Sequence, residues 1–215
     1  MSPPSLKSPY RLMVEGADDK WTIINLLTRH GYDWEDVKRT RPYVEEMGGI
    51  DRLLNKTVLS TALKTYDRLA LVFDADLPPT NRWHQVCDLL GSLGLSMPAQ
   101  PASEGTIIQS LRPSSRLGVW MMPDNSQPGR LEEFIEKLIP PGHSVWPHAQ
   151  SATVRALELG APLRPMDHIK GALYSWLSWQ ETPGMPFGTA LASHVLRQDS
   201  PEALLFVKWF QQCFM

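Results

Sequence analysis

The sequence predicts an α/β fold in which a mostly parallel sheet is flanked by helices and followed by a C-terminal helical extension. Two short apolar runs, RLMVEG and LALVFDAD, end in acidic residues and are typical of buried parallel strands. Helical patterns alternate with such runs, which favours a parallel sheet covered by helices. After Trp146 the pattern is helical throughout. We therefore expect an α/β core at residues 1–145 and a helical extension at 146–215.

The first strand and helix begin the regular structure of the chain. The strand ends at Glu15, and the helix that follows has Ile23, Ile24 and Leu27 at three- and four-residue spacing. Gly31 then predicts the end of this helix. Strand, turn and helix in this order form the repeating unit of parallel α/β sheets.

The second and third units continue this alternation. A short extended segment at 43–47 leads into one predicted helix, whose apolar face extends over 50–62. A buried strand is predicted at 69–73, and a helix with an apolar face at 83–93 comes after it. These elements extend the predicted parallel sheet.

A fourth buried strand is predicted in RLGVWMMPD, which ends at Asp124. The segment before it, at 94–116, is rich in Pro, Ser, Gly and Gln, and within it GTIIQSL is interpreted as a short edge strand. A helix is predicted to start at Arg130. The extension is then predicted to contain helices at about 148–159, 167–180, 186–197 and 201–214.

Composition excludes several classes of protein. The 21 Lys and Arg and the 23 Asp and Glu leave a formal charge of −2, so any contact with nucleic acid must be local. The two cysteines, Cys87 and Cys213, lack the spacing of a zinc site and favour a cytoplasmic protein. The sequence has neither an apolar run of about 18 residues nor a signal peptide, so we expect no membrane association.

Acidic residues follow three of the predicted strands. Because parallel strands bring their carboxyl ends to the same edge of a sheet, we expect these carboxylates to converge. Clustered carboxylates repel one another unless a cation lies between them, and oxygen ligands favour a hard ion such as Mg²⁺. Six or seven carboxylates would be enough for two metal ions, which is the arrangement that hydrolyses phosphodiesters. The acidic groups are Glu15 with Asp18 and Asp19, Asp74 with Asp76, and Asp124 with Glu132.

Each acidic group also has a structural interpretation. Asp18 or Asp19 would serve as a helix N-cap, worth about 1 kcal/mol. Asp74 and Asp76 would lie in a solvated turn, where aspartate is common. Glu132 would complement a helix dipole. The three groups together favour a metal site more strongly than any one of them does.

Several motifs resemble the Toprim domain, the metal-binding module of topoisomerases, primases and overcoming-lysogenization-defect nucleases. VEGADD and LVFDAD, each following a strand, carry the resemblance together with the later acidic pair. Three longer segments resemble a small Toprim-like family that is often encoded near ATP-binding proteins. These segments are MPDNSQPGRLEEFI, IKGALYSWLSWQETPGMPFG and VKWFQQCF. The resemblance covers nearly the whole chain and implies a Rossmann-like Toprim sheet.

The resemblance implies catalytic roles for Glu15, Asp74 and Lys170. The Lys170 ammonium would neutralise charge that develops on the phosphate, whereas an ordinary exposed helix lysine is the alternative. The resemblance to the nuclease branch also implies two metal sites, for Mg²⁺ or Mn²⁺. One ion would be held by Glu15, Asp74 and Asp76, and the second by Asp19, Asp124 and Glu132.

Three further residues are interpreted as substrate contacts. Lys38 and Arg39 lie in a short basic segment that would bind phosphates, although such a segment is also typical of a solvated loop. His168 lies two residues before Lys170 and is interpreted as an auxiliary acid or phosphate contact. A solvent-facing or packing histidine is its alternative role.

The first functional hypothesis is a Mg²⁺- or Mn²⁺-dependent nuclease that cleaves DNA or RNA. The family context implies control by an ATPase partner protein and a role in defence against phage, by analogy alone. The second hypothesis is a catalytically silent Toprim-like interaction or regulatory subunit. Primase or topoisomerase activity is less favoured, because no catalytic tyrosine domain or polymerising domain is recognisable in so short a chain.

Overall fold

The computed structural model of this chain describes residues 8–36, 40–76 and 78–215. A short 3₁₀ turn, Pro165–Asp167, directly precedes the helix that begins at His168. The strands are β1 (Tyr10–Val14), β2 (Tyr43–Glu46), β3 (Arg68–Asp74), β4 (Thr106–Gln109) and β5 (Arg116–Met122). The helices are α1 (Ala17–Arg29), α2 (Ile50–Leu53), α3 (Lys56–Thr65), α4 (Pro79–Gly91), α5 (Leu131–Glu136), α6 (Val145–Glu158), α7 (His168–Ser178), α8 (Phe187–Ala192) and α9 (Pro201–Phe214).

The five strands form one sheet in the order β2-β1-β3-β5-β4. β1 is parallel to β2 and β3, and β3 is parallel to β5, whereas β4 is an antiparallel edge strand. The register pairs Val14 with Val72, so the carboxyl ends of β1 and β3 lie at the same edge of the sheet. The predicted class, a mostly parallel sheet flanked by helices, is therefore confirmed.

Alternating side chains of the sheet build two hydrophobic cores. Leu12, Val72 and Trp120 pack with α1 and with α5 to α9 on one face. Met13 and Leu71 pack with α2, α3 and α4 on the other face. Because successive side chains of a strand point to opposite faces, burial on both faces requires strands that are apolar at every position. Burial of both faces of the sheet therefore explains the continuous apolar runs in the sequence.

The helical extension packs directly on the sheet. The ring of Trp120 in β5 lies 5.2 Å from that of Phe206 and 5.5 Å from that of Trp209, both in α9. Gly118 makes this approach possible, because a Cβ atom there would lie 2.4 Å from the Sγ atom of Cys213. Residues on both sides of the expected boundary between core and extension therefore share one hydrophobic core.

Two predicted helices have the wrong extent. The single helix expected at 50–62 is divided into α2 and α3 at Asn55, whose Oδ1 accepts hydrogen bonds from the backbone amides of Thr57 and Val58 at 3.0 and 3.2 Å. This side chain caps a new helix and ends the preceding one. The helix predicted at 186–197 ends at Ala192, and His194 adopts a left-handed φ of 64°.

None of the helices formed by the described residues combines the length and the apolar character that crossing a bilayer requires.

Candidate active site

Glu15 connects three elements at the carboxyl edge of the sheet. It follows β1 directly, and its Oε1 accepts a hydrogen bond of 2.8 Å from the backbone amide of Asp74 in β3. Its backbone carbonyl accepts hydrogen bonds from Gly48 and Gly49, both at 2.9 Å, in the turn before α2. Desolvation raises the pKa of the Glu15 carboxyl, and the nearby charge of Asp76 raises it further.

Asp74 is the last residue of β3 and reaches across to α5. Its Oδ1 accepts a hydrogen bond of 3.0 Å from the backbone amide of Leu131, the first residue of that helix. Desolvation, together with the charges of Glu15, Asp19 and Glu132, raises the pKa of Asp74 to about 9. Carboxylates from three separate segments are therefore close enough to act on Asp74.

Asp19 is buried in the first turn of α1. Its Oδ2 accepts a hydrogen bond of 3.1 Å from the amide of Gly16, whereas its Oδ1 is buried without a hydrogen-bond partner. Gly16 occupies the N-cap position, so neither Asp18 nor Asp19 is the N-cap. Desolvation and the charge of Glu15 raise the pKa of Asp19 to about 7.

Glu132 brings the C-terminal extension to this site. It is buried near the start of α5, and its Oε1 lies 2.9 Å from the Nζ atom of Lys170 in α7. Its Oε2 lies 3.8 Å from the Nε atom of Arg130. The hydrogen bond to Glu132 raises the pKa of the Lys170 ammonium. We call Glu15, Asp19, Asp74 and Glu132 the acidic cluster.

Ion pairs tie the acidic cluster to the segment before α7. Arg130 Nη1 lies 3.0 Å from Asp167 Oδ1, and Arg164 Nε lies 2.6 Å from Asp167 Oδ2. Sequence reasoning assigned no role to Arg130 or Asp167. These two residues are 37 positions apart in sequence, and Asp167 lies in a 3₁₀ turn without a periodic pattern that would indicate its partner. The proximity of Asp167 to Lys170 along the chain was the available signal.

Asp76 and Asp124, two of the predicted metal ligands, have other partners. Asp76 has a left-handed backbone, with φ of 57°, and its carboxylate pairs with Arg82 at the border of the acidic cluster. Asp124 Oδ1 accepts three hydrogen bonds from its own loop: 3.0 Å from the amide of Ser126, 2.8 Å from its hydroxyl, and 2.8 Å from the amide of Gln127. These contacts stabilise the loop, and a metal-binding role for Asp124 stays a prediction.

Of the three predicted substrate contacts, His168 is the one that the structure describes. Lys38 and Arg39 lie outside the described residues. His168 is the first residue of α7 and lies near Glu136 of α5, whose pKa is raised, chiefly by desolvation. Of the predicted cationic and histidine groups, within the part of the chain that the structure describes, Lys170 forms an ion pair with a member of the acidic cluster.

The chemistry of the acidic cluster fits a divalent cation. Its donors are carboxylate oxygens, which hard ions prefer, and Asp19 Oδ1 is a buried acceptor without a partner. Among the described residues, however, no three His, Cys, Asp or Glu side chains are arranged to hold one ion. Glu15 and Asp74 each direct an oxygen to a backbone amide instead. An ion would therefore bind with rotation of these side chains.

Comparison with known proteins identifies a family without assigning a function. No curated protein and no solved structure matched the chain. A family model described as "Protein of unknown function (DUF3226)" matches residues 9–215, a span that contains the whole acidic cluster, Arg130 and Lys170. The resemblance to Toprim nucleases is a separate prediction that this match does not address. The chain belongs to the DUF3226 family.

Proposed function

We propose that this protein is a metal-dependent phosphodiesterase that cleaves DNA or RNA at the acidic cluster, with Mg²⁺ or Mn²⁺ as the cofactor. One observation supports this proposal most strongly. Four carboxylates from the ends of β1 and β3 and the starts of α1 and α5 act on one another at the carboxyl edge of the sheet. In open α/β sheets this edge is the usual place for a ligand site.

The charge balance of the site favours a cation. Two of its carboxyl groups, Asp19 and Asp74, have pKa values raised to about 7 and about 9, so their ionised forms are destabilised. Lys170 and Arg130 supply two positive charges, but Arg130 is shared with Asp167. Binding of a divalent ion would stabilise the ionised carboxylates. It would also supply Lewis-acid activation of water and of the phosphate group.

Lys170 is suited to a phosphate contact. Its ammonium is held by Glu132 at 2.9 Å, which directs it toward the acidic cluster. The side chain is only partly buried, so a phosphate in the solvent-facing part of the site can reach it. A lysine placed in this way stabilises negative charge that develops on a phosphodiester during hydrolysis.

A catalytically silent regulatory or interaction module is the second candidate. The backbone amide of Asp74 donates a hydrogen bond to the Glu15 carboxylate, and the backbone amide of Leu131 donates one to the Asp74 carboxylate. These two bonds join β1, β3 and α5 as a structural network would, which favours this candidate. Control by an ATP-binding partner, and a role in phage defence, are further proposals that rest on the family resemblance alone.

Metal binding and cleavage distinguish the two candidates. Calorimetric titration with Mn²⁺ and cleavage of plasmid DNA, oligo(dT) and single-stranded RNA would be measured on the full chain and on Glu132→Gln. Glu158→Gln is the matched control, since Glu158 is exposed and pairs only with Arg155 among its described contacts. The proposal predicts metal-dependent cleavage that Glu132→Gln abolishes and Glu158→Gln preserves. Binding of Mn²⁺ without cleavage of any of these substrates would favour the silent module.

A further inference from the structure

Two exposed aromatic side chains lie on the helices that carry Asp19 and Lys170. Trp21 is 51% exposed and Tyr174 is 40% exposed. Trp21 lies two residues after Asp19 in α1, and Tyr174 lies one helical turn after Lys170 in α7. We call Trp21 and Tyr174 the aromatic platform. The same two helices therefore carry Asp19 of the acidic cluster, its neighbour Lys170 and the two rings of the platform.

The start of α8 contacts both residues of the platform. A Cβ atom at Gly188 would lie 2.8 Å from the backbone oxygen of Trp21, so this glycine allows α8 to lie against α1. The neighbouring Phe187 is buried, and its ring centroid is 5.5 Å from that of Tyr174. The charges of Asp18 and Lys170 are close enough to act on the Tyr174 hydroxyl. Both residues of the platform therefore lie on helices that pack against α8.

Positive charges accompany the rings. The Nζ atom of Lys20 lies 5.8 Å from the ring centroid of Trp21. Lys170 precedes Tyr174 by one turn of α7 and faces Glu132. Aromatic rings with adjacent ammonium groups match a nucleic acid strand, in which a base offers a π-face and the backbone offers a phosphate.

The surroundings of the platform favour nucleic acid over a protein partner. The core of a protein–protein interface is depleted in charged residues. Here Asp18, Lys20 and Lys170 lie among the exposed rings, so the apolar surface is not continuous. The charged groups would remain solvated beside stacked bases, whereas a protein interface would have to desolvate them.

We propose that the aromatic platform binds single-stranded nucleic acid by stacking on unpaired bases and places the strand next to the acidic cluster. In a duplex the faces of the bases are covered by their neighbours, so a stacking site selects single strands. The formal charge of −2 provides no general attraction for the duplex backbone. This inference deepens the proposed nuclease function and rests on it for the consequence of binding.

Fluorescence anisotropy tests the proposal without requiring cleavage. The full chain would be titrated into labelled oligo(dT) of about 20 nucleotides, and into a blunt duplex of the same length, with Ca²⁺ in place of Mg²⁺. Trp21→Ala and Tyr174→Ala are each expected to weaken binding of oligo(dT) by about tenfold or more, because one stacking partner is lost. Trp21→Phe keeps a ring and should stay within about threefold of the wild type.

Trp179→Ala is the matched control. Trp179 is 47% exposed at the end of α7 and lies against His148 at 5.3 Å, away from the described contacts of the acidic cluster. Its substitution should leave binding of oligo(dT) unchanged. Equal losses for Trp21→Ala and Trp179→Ala, no binding of oligo(dT), or equal affinity for the duplex would overturn the proposal.

Two results separate this proposal from its alternatives. Binding of oligo(dT) that depends on Trp21, without cleavage under any metal, would keep the aromatic platform and reject the nuclease function. A dimer in sedimentation that dissociates on Trp21→Ala, with no binding of oligo(dT), would assign this surface to a second copy of the chain and overturn the proposal.

Discussion

The ends of β3 and β5 are alike in sequence but differ in their surroundings. Each strand is apolar and leads to an aspartate, Asp74 or Asp124. Asp74 accepts a hydrogen bond from Leu131 of α5, and the charges of distant carboxylates act on it. Asp124 accepts its three hydrogen bonds from Ser126 and Gln127 in its own loop. A strand-end carboxylate is therefore a strong functional candidate when its partners come from distant elements.

Substitution at these two positions is expected to give the largest difference in activity. Asp74→Asn keeps an oxygen for the Leu131 amide but removes the charge that attracts a cation. We expect metal-dependent cleavage of a single-stranded oligonucleotide to fall by at least about 100-fold. Asp124→Asn retains the acceptor for its loop and should stay within about threefold of the wild type. Equal losses of cleavage activity in the two variants would show that the end of β5 belongs to the site, and would contradict the difference drawn between the two strand ends.

Lys170→Met should have the next largest effect. Removing the ammonium beside Glu132 is expected to lower the cleavage rate at saturating Mn²⁺ by about 10²-fold, because charge on the reacting phosphate is less stabilised. Affinity for Mn²⁺, measured by calorimetry, should be unchanged or higher, since one competing positive charge is gone. Lys208→Met in α9 is the control, as Lys208 is exposed. A large loss of Mn²⁺ affinity in Lys170→Met would contradict this role.

The stability of the metal-free protein should depend on pH through the acidic cluster. The folded-state pKa values of Asp19 and Asp74 are raised to about 7 and about 9. Their protonated forms therefore stabilise the folded state fully at pH values below the ordinary carboxyl pKa, and this contribution is lost as the pH rises through about 7 and then about 9. Asp74→Asn should remove the decline that continues from about pH 7 to about pH 9, whereas Asp124→Asn should not.

Thermal unfolding in EDTA and in Mg²⁺, over about pH 6 to pH 9.5, measures this dependence. We expect Tm of the wild type in EDTA to decrease by more than about 5 °C across this range. Mg²⁺ should reduce the decrease because it stabilises the ionised carboxylates. A Tm in EDTA that rises with pH would contradict the assigned protonation of the acidic cluster.

The smallest expected effect is the loss of the loop contacts at the end of β5. Asp124→Ala removes the acceptor for three hydrogen bonds and should lower the free energy of unfolding by about 1–2 kcal/mol. The loss, measured by urea denaturation, should be the same in Mg²⁺ and in EDTA. A loss that appears only in Mg²⁺ would show that Asp124 contributes to ion binding.

The sheet and the first part of the site could be predicted because their signals are local. Apolar runs that lead into Glu15 and Asp74 indicate both a buried strand and the edge at which its carboxylate lies. Local signals do not distinguish Asp18 from Asp19, since both lie in the first turn of α1, and the resemblance alone predicted Asp19 as a ligand. Tertiary packing buries Asp19 and leaves Asp18 exposed.

Other features depend on contacts between distant parts of the chain. Arg130 and Asp167 meet only after the turn before α7 packs against the start of α5. A strand followed by an acidic residue has the same sequence pattern whether the carboxylate contributes to the site or accepts hydrogen bonds from its own loop. The role of Asp124 therefore depends on the conformation of that loop. The break at Asn55 was a local signal, but the continuous apolar face over α2 and α3 outweighed it.

The most direct test of the account is the position of a bound ion. A crystal of the full chain soaked in Mn²⁺ would be measured for anomalous scattering from manganese. We predict an anomalous peak within the acidic cluster, contacted by Asp74 and at least one of Glu15, Asp19 and Glu132. No peak at saturating Mn²⁺, or a peak contacted by Asp124 and none of these four residues, would contradict the proposed metal-dependent site.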